Sequence, residues 1–168
     1  MKKTSTTPAP VASTPRFDSV EQGVFLNLWR TYDRLRALED EVFGQVGISA
    51  QQYNALRLLQ SVHPDSMPTL ELGRRLISRA PDMTRLLDRL EKKGLLRRTR
   101  RSANRRVVEI RITSDGLDLL DEVHEAVQAC HSRQLGHMSK KSLRELAKLL
   151  KEARQPHEDS ENLSFIDK

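Results

Sequence analysis

The stretch TRLLDRLEKKGLLRRTRRSANRRVVEIRIT, residues 84–113, combines three patterns in thirty positions. Its first part places Leu86, Leu87 and Leu90, with Met83 just before them, at helical spacing. Asp82, Arg85, Asp88, Arg89 and Lys92 fall on the other side, as in an amphipathic helix. The helix is expected from about Pro81 to Lys93. Pro81 suits the first helical position, Asp82 the positive end of the helix dipole, and Lys92 and Lys93 its negative end. Gly94 is the expected left-handed residue beyond the last turn. Leu95 to Thr99 then reads as a strand. In a second strand Val108, Ile110 and Ile112 alternate with Val107, Glu109 and Arg111, a half-buried pattern. Between the strands, Arg100-Arg101-Ser102-Ala103-Asn104-Arg105-Arg106 forms a basic hairpin tip.

Upstream, a short helix is expected over Thr69–Ile77, with Leu70, Gly73, Leu76 and Ile77 inward and Thr69 as its cap after Pro68. Before it, Ser49 with Gln52 makes a capping box, and Ile48 with Tyr53 a hydrophobic staple. That helix continues through Leu56, Leu59 and Val62 to a stop at Pro64. A long first helix, about Asp18 to Gly44, carries Val20, Val24, Leu28, Leu35, Leu38 and Val42 as a stripe. Phe25, Trp29 and Tyr32 widen it, and Gly44 or Gly47 ends it. Downstream, one helix starts near Ser114 with Leu117, Leu120, Val123 and Val127. A last helix opens at Ser139 with Leu143, Leu146, Leu149 and Leu150.

The net charge of +6 is unevenly spread. Arg74 to Arg111 holds 14 Lys and Arg against 4 Asp and Glu, while the rest of the chain is net −4. A basic block in a mildly acidic chain is the electrostatic footprint expected for a polyanion. Two short helices followed by a hairpin make a winged helix-turn-helix, whose second helix fits the major groove. Arg85 and Arg89, four residues apart, share a face and can reach a base edge or a phosphate. Arg89 has an alternative use, an ion pair with Asp82, Asp88 or a wing residue. Arg79 and Thr84 stand near the helix start. Four arginines in the tip (Arg100, Arg101, Arg105, Arg106) repel one another unless an anion lies between them. A wing arginine gains from the potential of a narrow minor groove.

Residues 84–98, then Asn104-Arg105-Arg106, Val108, Ile110, Ile112 and Thr113, resemble the recognition helix and wing of the MarR family. The order of six helices matches too, so the resemblance covers roughly residues 18–153. It implies a mainly α fold with a small β-hairpin wing, a winged helix-turn-helix plus a helical dimerisation region. It also implies a homodimer on a pseudo-palindromic site, a repressor of transcription, with Arg106 as the wing arginine in the minor groove. The family usually carries Asp two residues before that arginine, where this chain has Asn104. The DNA-binding set expected is Arg79, Pro81, Asp82, Thr84, Arg85, Arg89, Arg100, Arg101, Arg105 and Arg106.

The boundaries expected are a disordered tail over residues 1–16, a dimerisation helix over 17–48 and the winged domain over 49–113. Dimerisation helices over 114–153 and a polar tail over 154–168 complete the chain. Members of the family commonly respond to small aromatic anions. Trp29, Tyr32, Tyr53 and Arg57 could line a cleft for one, or the rings could simply fill a core. A metal- or redox-sensing variant would draw on His124, Cys130 and His131, Arg133 lowering the pKa of the thiol. One cysteine, no apolar run after the N-terminal lysines and no spanning segment fit a cytoplasmic, DNA-associated protein. No phosphate loop, paired metal ligands at i, i+4 or nucleophile elbow appears, so neither an enzyme nor a cofactor is expected. The competing class is a winged helix that binds protein instead of DNA, which would present an apolar or acidic face on helix 81–93.

Overall fold

In the computed structural model, residues 17–77, 82–100, 104 and 106–158 are described. The chain divides into two compact units, Met1–Arg34 and Leu35–Lys168. Helix α1 (Val20–Gln45) runs through that division. In the first unit, α1 begins with Gln22 bonded reciprocally to Asp18, and Ser19 Oγ accepting the Gln22 N–H.

The second unit opens with the end of α1, which Gly47 closes, not Gly44. Gly47 has φ +67°. The Ile48 N–H donates to Phe43 O and the Gly47 N–H to Gly44 O, a pair of hydrogen bonds that satisfies two carbonyls of the last turn. Phe43 and Ile48 are buried beside it. Helix α2 (Ala50–Gln60) starts at the expected capping box: Ser49 Oγ accepts the Gln52 N–H, and Gln52 Oε1 accepts the Ser49 N–H. It stops four residues before Pro64. Ser61 is the C-cap, its hydroxyl donating to Leu58 O at 2.7 Å, and turn bonds from Val62, His63 and Asp65 carry the chain away.

Strand β1 (Met67–Pro68) was not expected; two residues are too few for any alternation. It precedes α3 (Thr69–Arg75), which is shorter than the sequence suggests. Pro68, not Thr69, occupies the cap position and offers no side-chain acceptor. Thr69 instead donates its hydroxyl to Val108 O at 3.1 Å, tying the helix start to the wing. Leu72 is fully buried and Leu76 buried as expected, whereas Leu70 and Ile77 are 69% and 60% exposed. Helix α4 (Met83–Lys92) begins two residues after Pro81, with Asp82 as its cap and not in its first turn. Gly94, φ +75°, ends it as expected: the Leu95 N–H reaches Leu90 O and the Gly94 N–H reaches Glu91 O.

Strands β2 (Leu96–Arg100) and β3 (Val108–Ile112) pair antiparallel, and β1 adds to the other edge of β3, giving the order β1-β3-β2. Leu96 faces Ile112 and Arg98 faces Ile110. Glu109 breaks the expected alternation, since it is buried although its neighbour Arg111 is exposed. The single helix expected after Ser114 is two, α5 (Ser114–Glu122) and α6 (His124–Leu135). They part at the buried Val123, whose N–H bonds both Leu119 O and Asp121 O at φ −85°, ψ −5°. Helix α7 (Lys140–Arg154) starts at Ser139, whose Oγ accepts the Ser142 N–H. No residue of α7 is buried, and a short 3-10 turn, Gln155–His157, follows it.

The core of this unit joins Leu56 and Leu59 of α2, Leu72 of α3, Leu87 and Leu90 of α4, Leu96 and Ile110 of the sheet, and Leu120 of α5. Each leucine taken out of water contributes about 1.5–3 kcal/mol. The stripe on α4 therefore fixes which face of that helix remains outside.

Candidate nucleic-acid interface

The outer face of α4 is built from its cap upward. Asp82 Oδ1 accepts the Arg85 N–H at 2.9 Å, satisfying one of the four unpaired donors of the first turn. Its other oxygen lies 3.3 Å from Arg85 Nε in an exposed ion pair, of the kind that contributes little and exchanges readily for a stronger anion. Leu86, Leu87 and Leu90 are buried and Met83 packs against the same core, as the spacing requires. Thr84, Arg85, Arg89 and Lys92 are left exposed. A shallow groove runs beside this face, lined by Ser49, Gln51 and Gln52 at the start of α2 and by Asp82, Arg85, Leu86 and Arg89.

Of the carboxylates that competed for Arg89, Asp82 pairs with Arg85 and Asp88 with Arg98, and the neighbouring Glu91 is engaged as well. Asp88 Oδ1 accepts from Arg98 at 2.6 Å, and Glu91 takes both the Arg98 N–H and its guanidinium. The hydrogen bond from Arg98 is the main reason that the Glu91 carboxyl is held below its usual range; the charges of Arg98 add to it. The same contact raises the pKa of Arg98. Among the described residues, Arg89, Arg100 and Arg106 make no side-chain ion pair.

On the wing, Arg97 and Arg111 lie directly opposite each other and are both exposed, like charges that disfavour each other without a counterion. At the tip Asn104 Oδ1 accepts the Arg106 N–H at 3.1 Å, and Asn104 O accepts the Val107 N–H at 3.0 Å. Asn104 thus gives the Arg106 N–H its acceptor without a carboxylate. Of the ten DNA-binding residues expected, Asp82, Thr84, Arg85, Arg89, Arg100 and Arg106 are exposed on α4 and the wing. Arg79, Pro81, Arg101 and Arg105 lie outside the described residues. The residue that sequence reasoning passed over is Arg98. One more arginine in a basic run carries no mark that distinguishes it.

The residues proposed for an effector belong to different units. In the first, Trp29 and Tyr32 are 63% and 62% exposed, Trp29 tilted against Phe25 at 6.2 Å. In the second, Tyr53 stacks on Phe43 at 4.6 Å and Arg57 donates to Gln60. Cys130 corrects the redox expectation. Burial, then the charge of Glu39, pushes its thiol up against the smaller opposing effect of Arg133. His124 and His131 are exposed while Cys130 is buried, and no three candidate ligands converge among the described residues. None of the described helices is long and apolar enough to cross a membrane.

A mainly helical unit with a three-stranded antiparallel sheet and a basic second helix defines a winged helix-turn-helix. Comparison with known proteins agrees. Residues 48–108 match the MarR family. The transcriptional regulator FarR of Neisseria gonorrhoeae is 30% identical over 115 residues, covering 64% of this chain and 77% of that protein. The transcriptional repressor MdtR of Bacillus subtilis is 24% identical over 144 residues, 86% of this chain and 92% of the other. Among solved structures, a MarR transcription factor from Planctomyces limnophilus is 55% identical, with TM-score 0.65, over 81% of this chain and 98% of that one. A mutant of Escherichia coli MarR complexed with operator DNA shares the fold at TM-score 0.69 and 23% identity, over 80% and 94% of the two chains. This chain belongs to the MarR family: it is a DNA-binding transcriptional regulator, and its relatives are regulators, not enzymes.

Proposed function

We propose that this chain is a homodimeric repressor that grips a pseudo-palindromic operator, with α4 in the major groove and the wing in the adjacent minor groove. The observation that carries this reading is the pair Arg85 and Arg89. They project from the face of α4 opposite its buried leucines, and the acids nearest Arg89 in sequence are occupied by Arg98. Arg100 and Arg106 on the wing supply the second contact, with Arg101 and Arg105 beside them in the chain, while Arg79 belongs with the start of the recognition helix. A guanidinium reads guanine by two parallel bonds in the major groove, or follows narrowed potential in the minor groove. The cap Asp82, with Thr84 and Pro81 beside it, orients the helix start towards phosphate.

Self-association is supported by apolar surface on each unit: Val24, Phe25, Leu28 and Trp29 on α1, and Leu149 and Leu150 on α7, are all exposed in the single chain. Repression is the sign carried by the name of MdtR. Modulation by a small aromatic anion is part of the same proposal. Its support is chemical: the exposed rings of Trp29 and Tyr32 on one unit, and a cation, Arg57, one turn after Tyr53 on the other.

Fluorescence anisotropy against salt, on a pseudo-palindromic duplex selected from a randomised pool and on a scrambled duplex, tests the reading. Each phosphate contact contributes about −0.9 to the log–log slope. A steep slope with preference for the palindrome is expected, and Arg106→Ala should weaken binding about tenfold or more. No binding at low salt would sink the DNA reading.

A further inference from the structure

We propose that Arg98 is a positioning residue: it clamps the recognition helix to the wing and sets the angle at which both enter one half-site. This rests on the reading of α4 and the wing as the DNA-contacting elements. Arg98 sits on β2, where it faces the fully buried Ile110 of β3. From there it reaches back to α4 by four bonds. Its N–H donates to Glu91 Oε1 at 3.0 Å, its Nε to Glu91 Oε2 at 2.8 Å, and one terminal nitrogen to both Glu91 and Asp88. Asp88 and Glu91 are three residues apart and share one face of α4. The fork therefore opposes rotation of the helix about its axis as well as sliding along the strand.

The charge balance supports the assignment. The basic block has four acids, and two of them are spent on this one arginine. Its side chain is also more enclosed, at 27% exposure, than that of Arg85 at 77%. Arg98 is thus turned inward, whereas Arg85, Arg89, Arg100 and Arg106 are exposed. Arg85 and Arg89 on α4 and Arg106 on the wing must engage together, and a rigid fork between the two elements makes the second engagement follow from the first.

The experiment compares wild type, Arg98→Met and Arg98→Lys on the selected palindrome and the scrambled duplex, with salt slope and melting temperature recorded for each. For Arg98→Met, palindrome affinity should fall about tenfold more than scrambled affinity, with the salt slope unchanged, because no phosphate contact is lost. Arg98→Lys keeps the charge but not the fork, and should lose discrimination likewise even where the methionine variant folds poorly. A slope shallower by about 0.9 per half-site would overturn the clamp and make Arg98 a phosphate ligand. Full discrimination in a folded Arg98→Lys would overturn it too. Wild type that binds neither duplex would instead overturn the DNA reading itself, and the clamp with it.

Discussion

At the scale of single residues, the same side-chain type takes opposite roles within fourteen positions. Arg85 and Arg89 stand out from α4, whereas Arg98 is turned inward to Asp88 and Glu91. The inward arrangement has a pH signature. Glu91 has a folded-state pKa below its ordinary 4.5, so the folded protein binds fewer protons than the unfolded one in that range. Its contribution to stability is present above the unfolded value and is lost as pH falls through the folded value. Thermal melts between about pH 7 and 3 should therefore show an acid-side decline that is shallower in Glu91→Gln than in wild type. Superimposable acid limbs would remove Glu91 from the account. Asn104 shows the complementary lesson. The Arg106 N–H takes the amide oxygen of Asn104 as its acceptor, at the position where the family usually has a carboxylate.

Between elements, the junction of α4, β2 and α5 is held by Thr113, through its backbone and its hydroxyl. Thr113 donates its N–H to Leu95 O and its hydroxyl to Gly94 O, and its hydroxyl accepts from the Gly116 N–H. The first turn of α5 consequently lies almost on the strand. A Cβ at Gly116 would come within 2.3 Å of Leu95 O and 2.7 Å of the Ile112 side chain. The first of these is backbone inside a bonded junction and cannot step aside. Gly116→Ala should cost about 1–3 kcal/mol. In a domain of this size that lowers the melting temperature by about 2–12 °C. A calorimetric scan identical to wild type would show that the junction is looser than these distances imply.

For the whole molecule, the proposed dimer gives the exposed apolar residues a cover, and each leucine buried there contributes about 1.5–3 kcal/mol. Leu149→Glu combined with Leu150→Glu should then weaken self-association by at least about a hundredfold in sedimentation equilibrium. A wild-type protein that stays monomeric at tens of micromolar would end the dimer proposal.

The order of the first four helices and the hairpin, the capping box at Ser49, the closure at Gly94 and the leucine stripe of α4 were all determined by the sequence. These are local features, set by neighbours within four or five positions. The helix that divides at Val123, the two-residue strand β1 and the inward residue Leu72 in place of Leu70 were decided by packing across the core. The candidate site divides in the same way. That α4 and the wing are basic is visible in any reading of residues 84–113. Which arginine is available to DNA is not, because Arg98 meets its partners seven and ten positions back only after β2 folds against α4. Charge is a property of the residue, but its availability depends on what the tertiary structure brings within hydrogen-bond distance.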